Sequence, residues 1–303
     1  MSIPATDLPV KLFLFLPWLL SVLGGQVWSA EWPNVNALPP DLTVPKVVAG
    51  EAAAGRRVEA VTTGWVETQV RHALYLPSNW KPGGLLPVLV EFPGNGGYRN
   101  PLGDVSDGTV EGCVLGYGLS GGKDFIWVSL PLVMVAADGT PQNCPTWWGD
   151  RGETQRYCLA TVREVCARFG GDTSRVVLCG FSRGAIACNY IGLQNEEIAG
   201  LWRAFFCHSH YDGVREWPYP ESDEAAAIRR LARLRGRAQW ISHEGSVVAA
   251  RNFIERSGVE AAFTFVAIPY ANHSAAWVLR DLPERQQARA WLGRVTQARD
   301  SAR

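Results

Sequence analysis

Gly180-Phe181-Ser182-Arg183-Gly184 is the segment of this sequence with the clearest chemical meaning. The apolar run Val176-Val177-Leu178-Cys179 precedes it and Ala185-Ile186-Ala187 follows, so the pattern predicts a sharp turn from strand to helix. Small residues two before and two after the serine avoid a clash in such a turn. The turn lifts the hydroxyl above the sheet, at a helix N-terminus whose N–H groups favour developing negative charge. Ser182 is thereby the candidate nucleophile. The backbone N–H of Arg183 is a candidate donor to an oxyanion. A serine hydroxyl is a poor nucleophile until a base removes its proton. The chain holds five histidines to choose from: His72, His208, His210, His243 and His273.

A second grouping competes for attention. In Cys207-His208-Ser209-His210-Tyr211-Asp212-Gly213, two imidazoles and a carboxylate follow an apolar run. His-x-His-x-Asp resembles the dinuclear zinc signature of metallo-β-lactamase-type hydrolases, with His243 and His273 available to complete a site. The resemblance fails where that pattern ends in another His and this chain has Gly213. It also lies two thirds along the chain, and it leaves the serine turn unexplained. Zinc-dependent hydrolysis through His208, His210 and Asp212 is kept as an alternative. Otherwise these residues fall at the carboxyl edge of a sheet, where open α/β folds bind ligands. Asp104-Val105-Ser106-Asp107-Gly108 reads as a turn cluster rather than a calcium loop. The basic stretch Arg229–Arg235 reads as a solvated helical face.

These side chains must be positioned by regular elements. Trp65–Val70 and His72–Leu76 suggest paired strands. Leu86–Phe92 is a continuous apolar strand that ends in Pro93-Gly94-Asn95-Gly96-Gly97, and Phe125–Val133 suggests another. Further strands are predicted at Arg175–Cys179, Ala204–Cys207, Ala238–Ser242 and Phe263–Ile268. Helical spacing covers Thr154–Phe169, Ala185–Ile191, Asp223–Leu234, Val247–Arg256 and Glu284–Val295. Buried apolar strands alternating with helices specify a mostly parallel central sheet with helices on both faces. Residues 59–303 are expected to form that domain, with 208–236 a cap or surface insertion. Residues 31–58 hold several prolines and read as an extended lead-in.

The composition excludes several other classes. Of 303 residues, 47% are hydrophobic, and 29 basic side chains balance 29 acidic ones. Zero net charge removes the electrostatic case for a nucleic-acid or anionic-membrane binder, and the apolar fraction excludes wholesale disorder. The apolar run Leu12–Leu23 follows Lys11 and precedes the small residues Ser29 and Ala30. It is short for a membrane span and has the order of a secretory signal peptide, so residues 1–30 are expected to be removed on export to the periplasm or beyond. No stable membrane association is expected after that cleavage. Of the seven cysteines, Cys179, Cys188 and Cys207 read as buried, while Cys113, Cys144 and Cys158 lie in or beside loops and are the better disulfide candidates. The 13 tryptophans are a surplus, part of it expected to line a substrate cleft.

The serine turn and the elements around it resemble the α/β-hydrolases over nearly everything after residue 60. Asp172-Thr173-Ser174-Arg175 running into the turn, and the aromatic segment Asn143–Gly149, look like the secreted esterase and polyhydroxybutyrate-depolymerase-like group. The resemblance implies the order serine, acid, histidine. It places the base at His273, in the loop after the last strand. It places the acid at Glu244, after the strand Ala238–Ser242, or alternatively at Asp212 after the preceding strand. The second oxyanion donor falls in the loop after Leu86–Phe92, at Asn95 or Gly94; Pro93 has no N–H to give. Trp147, Trp148, His210 and Tyr211 are the candidate substrate contacts. Asn272-His273-Ser274 also spells a glycosylation sequon, discounted because a glycan there would block the site. The expected activity is hydrolysis of a carboxylic ester, small or linked to a carbohydrate or polymer, with no metal and no other cofactor. The alternatives are a serine peptidase of the prolyl-oligopeptidase type and a non-catalytic binding protein on the same fold.

Overall fold

The computed structural model describes residues 32–298. The expected signal peptide lies outside the described residues. Leu86–Phe92 forms a strand whose Val88, Val90 and Phe92 feed one core cluster while Leu89 feeds another. That alternation is the period-2 pleat with both faces covered. The same split recurs along Gly171–Phe181, where Val176 and Leu178 face one cluster and Val177 and Cys179 the other.

The main sheet has nine strands. In chain order they are β1 (Val47–Val48), β2 (Arg57–Ala60), β3 (His72–Tyr75), β4 (Leu86–Phe92) and β5 (Ile126–Ser129). They continue with β6 (Gly171–Phe181), β7 (Ala204–His208), β8 (Gly236–Glu244) and β9 (Ala261–Ile268). Their spatial order is β1-β2-β3-β5-β4-β6-β7-β8-β9. From β5 to β9 every pairing is parallel, and only the β2–β3 and β3–β5 pairings are antiparallel. Besides the single turn Glu196–Ala199, the helices are α1 (Leu115–Ser120), α2 (Arg151–Phe169), α3 (Arg183–Tyr190), α4 (Glu224–Leu231), α5 (Val248–Ser257) and α6 (Pro283–Val295). Side chains of α2, α3 and α5, such as Tyr157, Ile186 and Phe253, fill one cluster; Leu115 of α1 and Trp291 of α6 fill the other. Among the described residues no helix is long and apolar enough to cross a membrane.

Two expected strands come out differently. Trp65–Val70 is turns apart from one isolated bridge of Gln69 to Gln142, because the Thr68 hydroxyl donates to the Trp65 carbonyl and accepts from Val70 N–H. A threonine that satisfies the backbone locally removes it from a ladder. Phe125–Val133 splits: β5 stops at Ser129, and Leu132–Val135 pairs with Pro141–Cys144 as a separate hairpin. The seven cysteines are all unpaired and buried, including the three loop candidates Cys113, Cys144 and Cys158, which the fold absorbs as small apolar side chains.

The lead-in does more than approach the sheet. Val35 is buried, and Val47–Val48 adds an edge strand beside β2. Its backbone and side chains reach the loop that bears His273. Val35 N–H donates to Asn272 Oδ1 at 2.6 Å, and Asn272 Nδ2 donates to Asn34 Oδ1 and to the buried Asp104 Oδ1. The sequon asparagine is thus buried and spoken for. Asp104 also accepts from Asn36 and Asn100, so its carboxylate ties loops together by amide donors.

Candidate active site

Ser182 sits where β6 turns into α3, at φ 54° and ψ −116°. The flanking glycines are required by close approach. A Cβ on Gly180 would stand 2.1 Å from the Gly184 carbonyl oxygen, and one on Gly184 would stand 2.0 Å from the Phe92 oxygen. Ser182 N–H donates to the His208 carbonyl at 2.9 Å, which leaves the hydroxyl as the turn's free polar group. The parallel strands β6, β7 and β8 end side by side, so the loops after them converge.

Three of the expected residues meet there. His273 Nε2 lies 3.0 Å from Ser182 Oγ, and His273 Nδ1 lies 2.6 Å from Glu244 Oε1. Burial pushes the Glu244 carboxyl up. The hydrogen bond from His273 and the facing imidazoles of His208 and His243 outweigh that and bring it down to about 2. An ionised Glu244 fixes the tautomer that keeps Nδ1 protonated and Nε2 free to accept. The Phe181 and Tyr98 rings hold the imidazole from two sides, each at a centroid distance of 4.9 Å.

The competing acid is committed elsewhere. Asp212 receives two hydrogen bonds from Arg230, Nε to Oδ2 at 2.8 Å and Nη2 to Oδ1 at 3.0 Å, and both side chains are buried. The stretch Arg229–Arg235 is therefore not wholly a solvated face, since Arg230 turns inward to this carboxylate. The zinc arrangement is corrected by the same geometry. His208 is fully buried, with Nδ1 3.0 Å from Ser242 Oγ and Nε2 3.0 Å from the Ser274 carbonyl. His210 points to the cleft and Asp212 to Arg230, so the three side chains do not converge. Burial lowers both His208 and His210 to about 4, which leaves them neutral at pH 7.

A cleft of about 460 Å³ opens over Ser182 and His273. Trp147, Trp148, Trp217, Tyr98 and Ile186 form its apolar wall, and His210 stacks on Trp217 at 5.8 Å. Tyr211 is corrected: it is buried, packs on Phe253, and its hydroxyl donates to Gln239 at 2.5 Å, away from this cleft. Trp277 likewise lies in the core, as do Trp127, Trp240 and Trp291, so much of the tryptophan surplus is packing. Asn95 lines the cleft, and its Oδ1 accepts from Trp147 N–H at 2.6 Å, joining the two loops. Gly94 instead borders a neighbouring cavity of about 190 Å³ beside Glu91. Arg183 opens α3, where the first N–H groups have no intrahelical acceptor. Its guanidinium is bound to the carbonyls of Cys144, Trp147 and Gly108. Two contributors escape a reading of the sequence. Tyr98 carries no motif, and Ser209 reads there only as the spacer between two histidines.

No family model matches this sequence, and no curated protein matches it. Solved structures do. An S-formylglutathione hydrolase from Agrobacterium tumefaciens superposes with a TM-score of 0.57 at 13% identity, over 83% of this chain and 99% of that one. The chain has the α/β-hydrolase fold. Esterase 2 of Thermogutta terrifontis, in a form phosphorylated by paraoxon, superposes at 0.53 and 12% identity, over 79% of this chain and 94% of that one. An esterase of the fungus Rhizomucor miehei gives 0.50 and 14%, over 79% of this chain and 82% of that one. Within the α/β-hydrolase fold, the turn after β6, the last residue of β8 and the loop after β9 carry Ser182, Glu244 and His273.

Proposed function

We propose that this protein is a serine hydrolase of carboxylic esters. The observation that carries the reading is the unbroken chain from Ser182 Oγ through His273 to Glu244, opening into an aromatic cleft. In this reading Ser182 Oγ attacks the ester carbonyl carbon as His273 Nε2 takes its proton. The carbonyl oxygen becomes an oxyanion facing the N–H of Arg183 and the loop at Asn95. Collapse breaks the bond to the alcohol oxygen, which leaves with the proton from His273. Water, deprotonated by the same nitrogen, then cleaves the acyl-enzyme and restores Ser182. Among the described residues, Arg183 is the only Lys, Arg, Asp or Glu on the cleft wall, and carbonyls occupy it. The wall therefore suits an uncharged acyl group, alone or on a carbohydrate or polymer.

The test is covalent. A fluorophosphonate should label the folded protein once, and mass spectrometry should map the adduct to Ser182. A folded, unlabelled protein, or an adduct elsewhere, refutes the mechanism. Export belongs to the proposal on the strength of the apolar run before Ser29 and Ala30. N-terminal sequencing of the protein from culture medium or periplasm should start near residue 31; a start at Met1 counts against it.

A further inference from the structure

We propose that Ser209 is a positioning residue for the His273–Glu244 pair, a role that rests on the reading of Ser182, His273 and Glu244 as a catalytic triad. Ser209 follows β7 and is fully buried. Its φ is 83°, a conformation that glycine adopts freely and residues bearing Cβ adopt rarely and under strain. A serine kept in a glycine's place needs a reason, and its hydroxyl supplies one. Ser209 Oγ donates to Glu244 Oε1 at 2.9 Å and stands 2.8 Å from His273 Nδ1. It is also 3.5 Å from His210 Nδ1.

Glu244 shows why one hydroxyl matters. Its Oε2 has no hydrogen-bond partner among the described residues. The two hydrogen bonds to this half-buried carboxylate both arrive at Oε1, one from His273 Nδ1 and one from Ser209 Oγ. In the proposed mechanism His273 changes charge as it takes and returns a proton at Nε2, so the strength of its hold on the carboxylate changes through the cycle. Ser209 is fixed, because its own N–H donates to the Ser242 carbonyl at 2.7 Å. The hydroxyl therefore holds Oε1 within hydrogen-bond reach of Nδ1. The other groups facing the pair are the imidazoles of His208, His210 and His243 and the rings of Tyr98 and Phe181. Of these, His243 Nδ1 comes to 3.5 Å of Glu244 Oε2 and donates to the Glu244 backbone carbonyl instead.

Two variants separate hydroxyl from backbone. Ser209→Gly removes the hydroxyl and relieves the positive φ, whereas Ser209→Ala removes the hydroxyl and keeps the strain. With p-nitrophenyl acetate, both should lose about 10- to 100-fold in kcat at a KM within about twofold of wild type. Ser209→Gly should melt no lower than wild type. In proton NMR, the low-field Nδ1–H resonance of His273 should shift upfield and exchange faster in both variants. Wild-type kcat with an unshifted resonance in Ser209→Gly overturns the proposal. So does a loss confined to KM, or a loss in Ser209→Ala that Ser209→Gly does not share. If wild type itself neither hydrolyses the ester nor takes a fluorophosphonate, yet the resonance moves in both variants, the positioning role stands and the ester reading falls.

Discussion

Glu244→Gln should leave the protein folded and lower kcat about 10⁴-fold at pH 7. The amide keeps the volume of the carboxylate but not its charge. It accepts less strongly at Nδ1, and with its NH₂ turned toward His273 it selects the tautomer with the proton on Nε2, the nitrogen that must accept from Ser182. The imidazolium formed in the transition state then lacks its counter-charge. Steady-state kinetics with a chromogenic ester measures this, and near-full turnover would move the acid elsewhere. The same residue sets a pH dependence of stability. Its carboxyl lies at about 2 in the fold against an ordinary 4.5, so the unfolded chain binds the proton more readily. The stabilisation is complete above the ordinary value and is lost as pH falls from about 4.5 toward 2. Melting curves across that window should fall more steeply for wild type than for Glu244→Gln. Equal slopes would show that the depressed carboxyl contributes nothing to folding.

Asp212→Ala should do the opposite: little to the chemistry of molecules that remain folded, and much to how many do. Removing the carboxylate leaves the Arg230 guanidinium buried without a counter-charge, a change that costs about 3–5 kcal/mol and lowers melting by roughly 10 °C. Arg230 also donates to the Glu221 carbonyl and lies over the Tyr190 ring at 5.0 Å, so the pair clamps the segment bearing Trp217 against α3. Thermal melting together with kcat per labelled site tests this. A variant that melts like wild type but loses turnover would exchange the roles of Asp212 and Glu244. Replacing both partners by apolar residues should recover most of the loss, because it removes the unpaired charge.

Much of this architecture is legible in the amino-acid order. The strands β4 and β7, and the second half of β6, are short apolar runs next to turn signals, which suits strands buried on both faces. The nucleophile turn is legible because its glycines have a steric reason. What is not legible depends on distant partners. Glu244 and Asp212 both follow strands and look alike locally. The difference lies in Arg230, which sits in a basic stretch that resembles a solvent face and turns inward in the fold. Ser209 has no sequence mark, since a positive φ at a serine contradicts its propensity and arises from the loop around it. Tyr211 and Trp277 sit near the site along the chain but have their partners in the core instead, Gln239 and Phe253 for Tyr211 and His208 for Trp277.

The bond between the lead-in and the His273 loop bears on the protein's biogenesis. Asn272 is held by Val35 across 237 residues of sequence, and His273 follows it directly. Ser182 leaves the ribosome 91 residues ahead of its base. A nascent chain at that stage has Ser182 without the imidazole that its hydroxyl faces in the fold. In the proposed mechanism its activation waits for the His273 loop, which the lead-in holds through Asn272. On the proposed mechanism, a copy in which that loop has not docked holds a serine without its base.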